Sequence, residues 1–338
     1  MIVEMQTGVD VQQVDGVVQR AKALGFQVQL NLGTNKVVVA ILGSNTGQVP
    51  TETFAVLPGV ESVTRIMKPY KLASREFKGE DTVVKVSGVE IGGQRVVVMA
   101  GPCAVENEER LMEVAKVVKE AGAAVLRGGA FKPRTSPFSF QGLEEVGLEL
   151  LAKARKAFSI PVITEVVDPH DVELVSKSAD ILQVGARNMQ NFALLTEVGK
   201  SQRPVLLKRG FSSTVTEWLT AADYLLAEGN NQVILCERGI RTFEDSIRFS
   251  LDISSVPVIK KFSHLPLIVD PSHAAGHYSL VPAIARAAVA AGADGILIEV
   301  HPNPKEALVD GLQSLTISDF NRLMAELKAI AKSVGRYV

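Results

Sequence analysis

The sequence is poor in cysteine and contains no long apolar run. Its 338 residues include two cysteines, too few for a disulfide framework. The opening residues, MIVEMQTGVD, lack the basic and apolar regions of a secretory signal peptide. No segment approaches the roughly 20 uninterrupted apolar residues of a membrane helix. These absences predict a soluble protein of the reducing cytoplasm that does not span a membrane.

The sequence also lacks an excess of charge of either sign. Thirty-six lysines and arginines against 37 acidic residues leave a net charge of -1, so no global basic field indicates binding to nucleic acid or to an anionic membrane. Hydrophobic residues make up 46% and charged residues 22%, as in ordinary globular proteins. At roughly 150 residues per domain, the length predicts two domains, or one large barrel with an appendage.

The first 70 residues alternate short Val-rich runs with helical stretches. The apolar runs are IVEMQT, VQLNL, KVVVAILG and SVTRIMKP, and the helical stretches cover residues 9–24 and 52–57. This order predicts a small βαββαβ domain over residues 1–70, with a hairpin turn at residues 32–35. The charged stretch that follows has no clear periodicity, so we expect a linker over 71–90 and a second domain over 91–338.

Short apolar runs recur from Val96 onward, about every 20 to 35 residues, with a longer amphipathic stretch between them. Each run is almost continuously apolar, as a parallel strand buried on both faces requires. Eight such units over about 240 residues match the size of a (β/α)8 TIM barrel. The predicted α/β fold has strands at residues 96–101, 123–128, 161–165, 180–185, 204–208, 232–237, 266–270 and 295–300.

A doubly wound open sheet is the alternative fold for this pattern of strands. Such sheets commonly carry a glycine-rich phosphate loop after the first strand. No GxGxxG or Walker-type loop follows the first run here. The sequence therefore favours the closed barrel.

Ionisable residues follow every predicted strand, where a barrel places its functional groups. Six of them are cations that would face one cavity mouth: Arg127, Lys132, Arg134, Arg187, Lys208 and Arg238. Like charges held so close repel unless an anion neutralises them, and arginine suits bidentate recognition of phosphate and carboxylate. The set predicts polyanionic ligands with more than one phosphate. Salt bridges to the interleaved carboxylates are the alternative role for each cation.

A second set combines one thiol, one imidazole and two carboxylates: Cys103, His273, Glu299 and Asp310. They come from the first, seventh and eighth βα loops, which are neighbours around a closed barrel. Such mixed ligands suit a divalent transition metal of the Mn, Fe, Co or Zn class better than Mg or Ca. Their spacing follows no specific ligand pattern, so a packing cysteine and a structural histidine remain the alternative.

Seven motifs carry most of these residues. They are AGPCAVE at 100–106, LRGGAFKPRTSP at 126–137, GARN at 185–188, LKRG at 207–210, CERG at 236–239, DPSH at 270–273 and EVHP at 299–302. Together they resemble the type I-beta family of 3-deoxy-D-arabino-heptulosonate-7-phosphate (DAHP) synthases. The resemblance covers the whole barrel, and residues 1–70 resemble, more loosely, the ferredoxin-like regulatory domain of some members.

The resemblance implies an enzyme that condenses phosphoenolpyruvate with erythrose 4-phosphate and water, the first step of the shikimate pathway. It implies one divalent metal and no organic cofactor, with Cys103, His273, Glu299 and Asp310 as the ligands. The residues implied to bind phosphoenolpyruvate are Arg127, Lys132, Arg187, Lys208, Arg238 and the backbone of Ala186, and those for the aldose phosphate are Arg134, Thr135 and Ser136. The catalytic residues are expected to be Lys132, Glu165, Asp270 and His273, with the general acid left open among the first three.

Two rivals and one regulatory question remain at this point. Octulosonate-phosphate synthases, which use arabinose 5-phosphate, share the AGPC-like turn, but their aldose loop resembles KANRSS whereas residues 132–137 read KPRTSP. The second alternative is a catalytically inactive barrel that serves only as a sensor. Such a barrel would be expected to have lost at least one metal ligand or phosphate-binding residue, and none is missing. The small domain resembles ones that mediate feedback inhibition by Tyr or Phe between copies of a homotetramer, although a purely structural appendage is the alternative.

Overall fold

The computed structural model describes residues 1–33 and 36–338. They divide into two compact units, one of residues 1–81 with 262–264 and one of residues 82–261 with 265–338. The predicted hairpin turn falls partly on Thr34 and Asn35, which lie outside the described residues. In the part of the chain that is described, no helix has the length and apolar character needed to cross a membrane.

The first unit contains an antiparallel sheet with strand order β2-β3-β1-β4. Its elements are β1 (Ile2–Met5), α1 (Val11–Ala23), β2 (Gln27–Leu32), β3 (Val37–Leu42), α2 (Glu52–Ala55) and β4 (Val60–Thr64). Asp10 and Gln13 form a capping box that begins α1, because each side chain satisfies a free backbone N–H of the first turn. Val17 of α1 and Phe54 of α2 are buried in the core of this unit. The predicted βαββαβ order is confirmed.

A short hairpin precedes the barrel in the second unit. It consists of β5 (Val84–Val86) and β6 (Val89–Ile91). Its buried side chains belong to one apolar cluster with residues at the beginnings of the barrel strands, such as Val97 and Val125. The hairpin therefore closes the amino-terminal end of the barrel, and it occupies the second half of the segment expected to be a linker.

Eight parallel strands close into the barrel. They are β7 (Val97–Gly101), β8 (Val125–Arg127), β9 (Val162–Val166), β10 (Ile181–Val184), β11 (Val205–Lys208), β12 (Val233–Glu237), β13 (Leu267–Val269) and β14 (Gly295–Glu299). The ring is completed where β14 pairs with β7, with Glu299 opposite Gly101. Every predicted run overlaps one of these strands, so the predicted TIM barrel is confirmed and the open sheet is wrong.

Helices follow the strands and bury one apolar face each. They are α3 (Glu108–Ala121), α4 (Glu144–Phe158), α5 (Val172–Ser178), α6 (Phe192–Lys200), α7 (Val215–Ala227), α8 (Ser255–Phe262), α9 (Pro271–Ala275), α10 (Val281–Ala290) and α11 (Ile317–Ser333). In α7, which begins at a Thr214–Glu217 capping box, the indole of Trp218 is fully buried and donates to the Leu207 carbonyl at 3.1 Å. This contact holds α7 against the carboxyl end of β11, next to Lys208.

Candidate active site

Four donor side chains meet at the carboxyl end of the barrel. This four-donor cluster consists of Cys103, His273, Glu299 and Asp310, and one donor atom from each lies within 4.8 Å of the others. Glu299 ends β14, His273 lies in α9 directly after β13, and Cys103 comes two residues after β7. Because the barrel order is β13-β14-β7, residues distant in sequence become neighbours, as the sequence predicted.

The loop after β14 is held so that Asp310 faces Cys103. Asp310 has a φ of +53°, in the left-handed region that residues other than glycine seldom adopt. Upstream in the same loop, the Leu308 N–H donates to the Glu106 carboxylate at 2.7 Å, and His301 Nε2 lies 3.3 Å from the other Glu106 oxygen. With the loop fixed in this way, Cys103 Sγ donates to Asp310 Oδ2 at 3.4 Å.

The imidazole of His273 lies against a buried carboxylate. Its Nδ1 lies 2.7 Å from Asp270 Oδ2, while its Nε2 lies 3.4 Å from Glu299 Oε1 and 3.8 Å from Asp310 Oδ2. Lys208 Nζ also donates to Asp270, at 2.6 Å. A carboxylate beside one imidazole nitrogen leaves the other nitrogen for a metal. The geometry therefore directs Nε2 into the four-donor cluster.

The cluster concentrates negative charge in a buried place. Burial alone would raise the pKa of Glu299, but the positive charges of His273 and Arg127 outweigh it and lower that pKa. Burial raises the pKa of the Cys103 thiol to about 12, and Glu299 adds to the rise. A divalent ion would neutralise the carboxylates and displace the thiol proton. The donor set thus fits a divalent transition metal through one sulfur, one nitrogen and carboxylate oxygens.

A cavity of about 260 Å³ opens beside the four-donor cluster, and His273 and Asp310 form part of its wall. We call it the cationic cavity, because all six predicted cations line it: Arg127, Lys132, Arg134, Arg187, Lys208 and Arg238. Thr135, Ser136 and Ala186 line it too. The structure therefore brings all of these residues together around one cavity.

Salt bridges account for only part of this positive charge. Arg127 pairs with Glu299, and Lys208 pairs with Asp270. Among the described residues, however, the buried Nη1 atoms of Arg134 and Arg238 have no hydrogen-bond partner. Buried guanidinium N–H groups without an acceptor are costly, and an anion in the cationic cavity would supply those acceptors.

Arg238 is supported by aromatic rings instead of a carboxylate. Its Cζ lies 4.1 Å from the Phe249 ring centroid and 4.8 Å from that of Phe211, and the two rings stack at 5.0 Å. Burial lowers the pKa of Arg238 to about 10, with the neighbouring charge of Arg248 as a further cause. The rings hold the cation by cation–π attraction while its N–H groups stay available to a ligand.

Two glycines make room for the polar groups at the cavity floor. A Cβ on Gly185 would overlap Glu165 Oε1, and a Cβ on Gly129 would lie 2.6 Å from Lys132 Cδ. Glu165 accepts a hydrogen bond from Gln183 Nε2 at 3.2 Å, and Lys132 Nζ lies 3.3 Å from Cys103 Sγ. Glu165 and Lys132 therefore face the cavity from fixed positions.

The sequence reasoning and the structure differ in several places. Asp270, expected to transfer protons, is fully buried and is not one of the residues that line the cavity. The cavity wall also includes Gln183, Phe211 and Arg248, which the sequence reasoning missed. Gln183 could have been found from the sequence, because it is a polar residue inside the apolar run DILQVG. Arg248 could not, because it lies in a long loop far from any strand end.

The fold and these groups define a (β/α)8-barrel enzyme with an anion-binding mouth. Residues 81–334 match the model of the DAHP synthetase I family, and residues 1–68 match the DAHP synthase ferredoxin-like domain. The chain belongs to the DAHP synthetase I family. It is a transferase of the DAHP synthase type, an activity of aromatic amino acid biosynthesis, so the resemblance seen in the motifs is confirmed.

The relatives support the same assignment along the full chain. A phospho-2-dehydro-3-deoxyheptonate aldolase of Thermotoga maritima is 49% identical over 335 residues, covering 99% of both chains. A crystal structure of the DAHP synthase of that organism superposes with a TM-score of 0.80 at 48% identity, covering 100% of this chain and 98% of the other. A 2-dehydro-3-deoxyphosphooctonate aldolase of Geobacter sulfurreducens is 34% identical, covering 73% of this chain and 97% of its own length.

Proposed function

We propose that the chain condenses phosphoenolpyruvate with D-erythrose 4-phosphate and water in a reaction that depends on a divalent transition metal. The products are DAHP and inorganic phosphate. The observation that carries this proposal is the position of the four-donor cluster at the edge of the cationic cavity, where two anionic substrates and a metal would meet.

Phosphoenolpyruvate is assigned to the deep part of the cavity. Its phosphate and carboxylate need several cations, and Arg127, Lys132, Arg187, Lys208 and Arg238 supply them, together with the backbone at Ala186. Arg238 is the strongest element of this assignment, since it is 3% exposed and its Nη1 has no acceptor among the described residues. An anion bound here would complete its hydrogen bonds.

Erythrose 4-phosphate is assigned to the loop after β8. Arg134, Thr135 and Ser136 lie in this loop and line the cavity mouth. The Arg134 guanidinium has a buried N–H group without a partner in the described structure, so it is poised for a phosphate, with the two hydroxyl groups as further donors. The aldehyde end of the sugar would then extend toward the four-donor cluster.

Cys103, His273, Glu299 and Asp310 would hold the metal. A divalent ion bound there supplies Lewis acidity to a carbonyl oxygen. The cations of the cavity hold the enol phosphate with its C3 facing that carbonyl, which lowers the entropic part of the barrier. Asp270 contributes as a positioning residue, because it orients His273 and holds Lys208 from a fully buried position.

Proton transfer is assigned to Lys132 and Glu165. Burial would lower the pKa of Lys132, but the neighbouring Cys103 and Glu165 raise it, so Lys132 is held as an ammonium. Its proton passes to the former aldehyde oxygen, which becomes the new hydroxyl when the carbon-carbon bond forms. Water then adds at C2 of the former phosphoenolpyruvate, and Glu165 is placed to accept its proton. Phosphate leaves by cleavage of the bond between C2 and the bridging oxygen, as the C2 hydroxyl becomes the ketone and its proton passes to the departing phosphate.

Parallel assays with two aldoses test this function. In the presence of Mn²⁺ the protein is expected to consume phosphoenolpyruvate with erythrose 4-phosphate and not with arabinose 5-phosphate, because residues 132–137 read KPRTSP. The loss of phosphoenolpyruvate absorbance measures the rate. Addition of a chelator is expected to stop turnover, and addition of excess Mn²⁺ is expected to restore it.

Each alternative result has a distinct meaning. Consumption of phosphoenolpyruvate with arabinose 5-phosphate alone would show octulosonate-phosphate synthase activity instead. Chelator-resistant turnover would contradict the metal dependence, and no turnover with either aldose would favour a silent sensor.

We further propose that the small domain, residues 1–70, mediates feedback inhibition by Tyr or Phe in a homotetramer. The match of residues 1–68 to the DAHP synthase ferredoxin-like domain supports this proposal. Tyr or Phe is expected to slow phosphoenolpyruvate consumption by the full chain, whereas glycine leaves it unchanged. Light scattering is expected to give the mass of a tetramer. Full activity at saturating Tyr and Phe would leave the domain a structural appendage.

A further inference from the structure

A buried glutamine adjoins the four-donor cluster from outside the cavity. Gln313 is 2% exposed and ends the 3-10 turn Gly311–Gln313, and its N–H donates to the Asp310 carbonyl at 3.2 Å. Residues three apart in a 3-10 turn project to the same side. The turn that presents Asp310 to the cluster therefore carries the side chain of Gln313 to the cluster as well.

The hydrogen bonds of Gln313 fix which way its amide points. Arg248 Nη1 donates to Gln313 Oε1 at 2.6 Å, and Gln313 Nε2 donates to Glu299 Oε2 at 2.6 Å. A guanidinium can only donate and a carboxylate can only accept, so the reversed amide would lose both bonds. Arg248 thus fixes the orientation of the Gln313 amide, and the amide fixes the Oε2 oxygen of Glu299.

The two carboxylates of the cluster share one pattern of support. Glu299 is held through Oε2 by Gln313, while its Oε1 accepts a hydrogen bond from Arg127 Nη1 and lies 3.4 Å from His273 Nε2. Asp310 has Oδ1 at 3.3 Å from Arg248 Nη1, while its Oδ2 faces Cys103. In each carboxylate one oxygen faces the cluster and the other is held by a group outside it. Arg248 takes part in both outer contacts, directly at Asp310 and through Gln313 at Glu299.

We propose that Gln313, itself oriented by Arg248, is a positioning residue of the metal centre that holds Glu299 in its metal-binding orientation. The inference rests on the metal dependence proposed above. Residues that orient metal ligands in this way contribute about 10- to 100-fold to metal affinity. Gln313 is neutral, so replacing it changes the orientation of Glu299 without changing the charge of the site.

The test compares Mn²⁺ affinity, measured by calorimetry, in the wild type and in Gln313→Met. Methionine has a similar volume and makes neither hydrogen bond, so we expect Mn²⁺ to bind about 10- to 100-fold more weakly. The absorption spectrum of the Co²⁺-loaded variant is expected to shift, because the Glu299 oxygen moves. A glutamine that only supported the fold would lower thermal stability in chelator and leave both metal readouts unchanged.

Gln183→Met is the matched control. Gln183 is also buried and also donates to a carboxylate, that of Glu165, but its side chain makes no hydrogen bond to the four-donor cluster in the described structure. Its replacement is expected to lower turnover and to leave Mn²⁺ affinity unchanged. Equal weakening of Mn²⁺ binding by both substitutions would overturn the proposal.

The remaining outcomes separate the two hypotheses. Wild-type protein that binds neither Mn²⁺ nor Co²⁺ overturns the metal dependence and this inference with it. Metal binding by the wild type together with undiminished binding by Gln313→Met overturns the inference alone. Should Gln313→Met fail to fold, Gln313→Asn serves instead: its amide is one methylene too short to bridge Glu299 and Arg248, and wild-type affinity in that variant has the same meaning.

Discussion

Replacement of Cys103 by alanine is expected to abolish both metal binding and turnover. The thiol is 3% exposed and is the one sulfur donor in the four-donor cluster, so the variant keeps a His–Glu–Asp set open to water on one side. A Lewis acid contributes several kcal/mol to such a reaction, and each 1.36 kcal/mol is tenfold in rate. Turnover is therefore expected to fall by about 1,000-fold or more.

The two cysteines of the chain make a matched pair for this experiment. Cys236 is fully buried in β12, so Cys236→Ala removes the same atoms from a place outside the cluster. This control is expected to bind Mn²⁺ and turn over like the wild type. Metal content by mass spectrometry and the phosphoenolpyruvate assay give the two readouts, and metal-dependent activity in Cys103→Ala would disprove the ligand assignment.

Arg238→Met is expected to raise stability and to destroy activity. Arg238 is a buried cation without a carboxylate partner in the described residues, and a methionine packs well against Phe211 and Phe249. Removing the buried charge is expected to add about 1–2 kcal/mol to the free energy of unfolding without ligand. Loss of its bonds to a bound anion is expected to lower kcat/KM for phosphoenolpyruvate by about 100- to 1,000-fold.

The neighbouring Arg209 provides the opposite case. It is as buried as Arg238, but it pairs with Glu237 at 2.8 Å and with Asp252 at 2.8 Å. Arg209→Met leaves the buried Glu237 unpaired and is expected to cost about 3–5 kcal/mol of stability. Urea unfolding followed by circular dichroism compares the two variants. If both variants lose stability, the unpaired charge of Arg238 does not destabilise the unliganded protein, and the prediction is wrong.

The sequence predicts well the features that depend on strand periodicity. Runs such as VVVMAG and GILIEV identify buried parallel strands, and counting them gives the barrel. Closure then brings together Cys103 and Glu299, which is a consequence of topology and needs no side-chain detail. The resemblance of the motifs adds a role for each residue, because the pattern alone leaves a packing cysteine and a structural histidine open.

Features that depend on loop packing could not be predicted. Arg248 and Phe249 lie in a long loop without periodicity, and their position beside Arg238 follows from how that loop folds back on the barrel. Gln313 follows no strand directly, and its role depends on an amide orientation that only the contacts reveal. The burial of Asp270 could not be predicted either, because a residue directly after a strand can face either the cavity or the barrel wall.

Closure of the barrel also sets when the four-donor cluster can form during synthesis. Cys103 and Asp310 are separated by 207 residues, and β14 must dock beside β7 before their side chains meet. At about 5–20 residues per second on the ribosome, roughly 10–40 seconds pass between the appearance of the first ligand and the last. A nascent chain therefore cannot bring all four donors together, and the complete cluster belongs to the finished barrel.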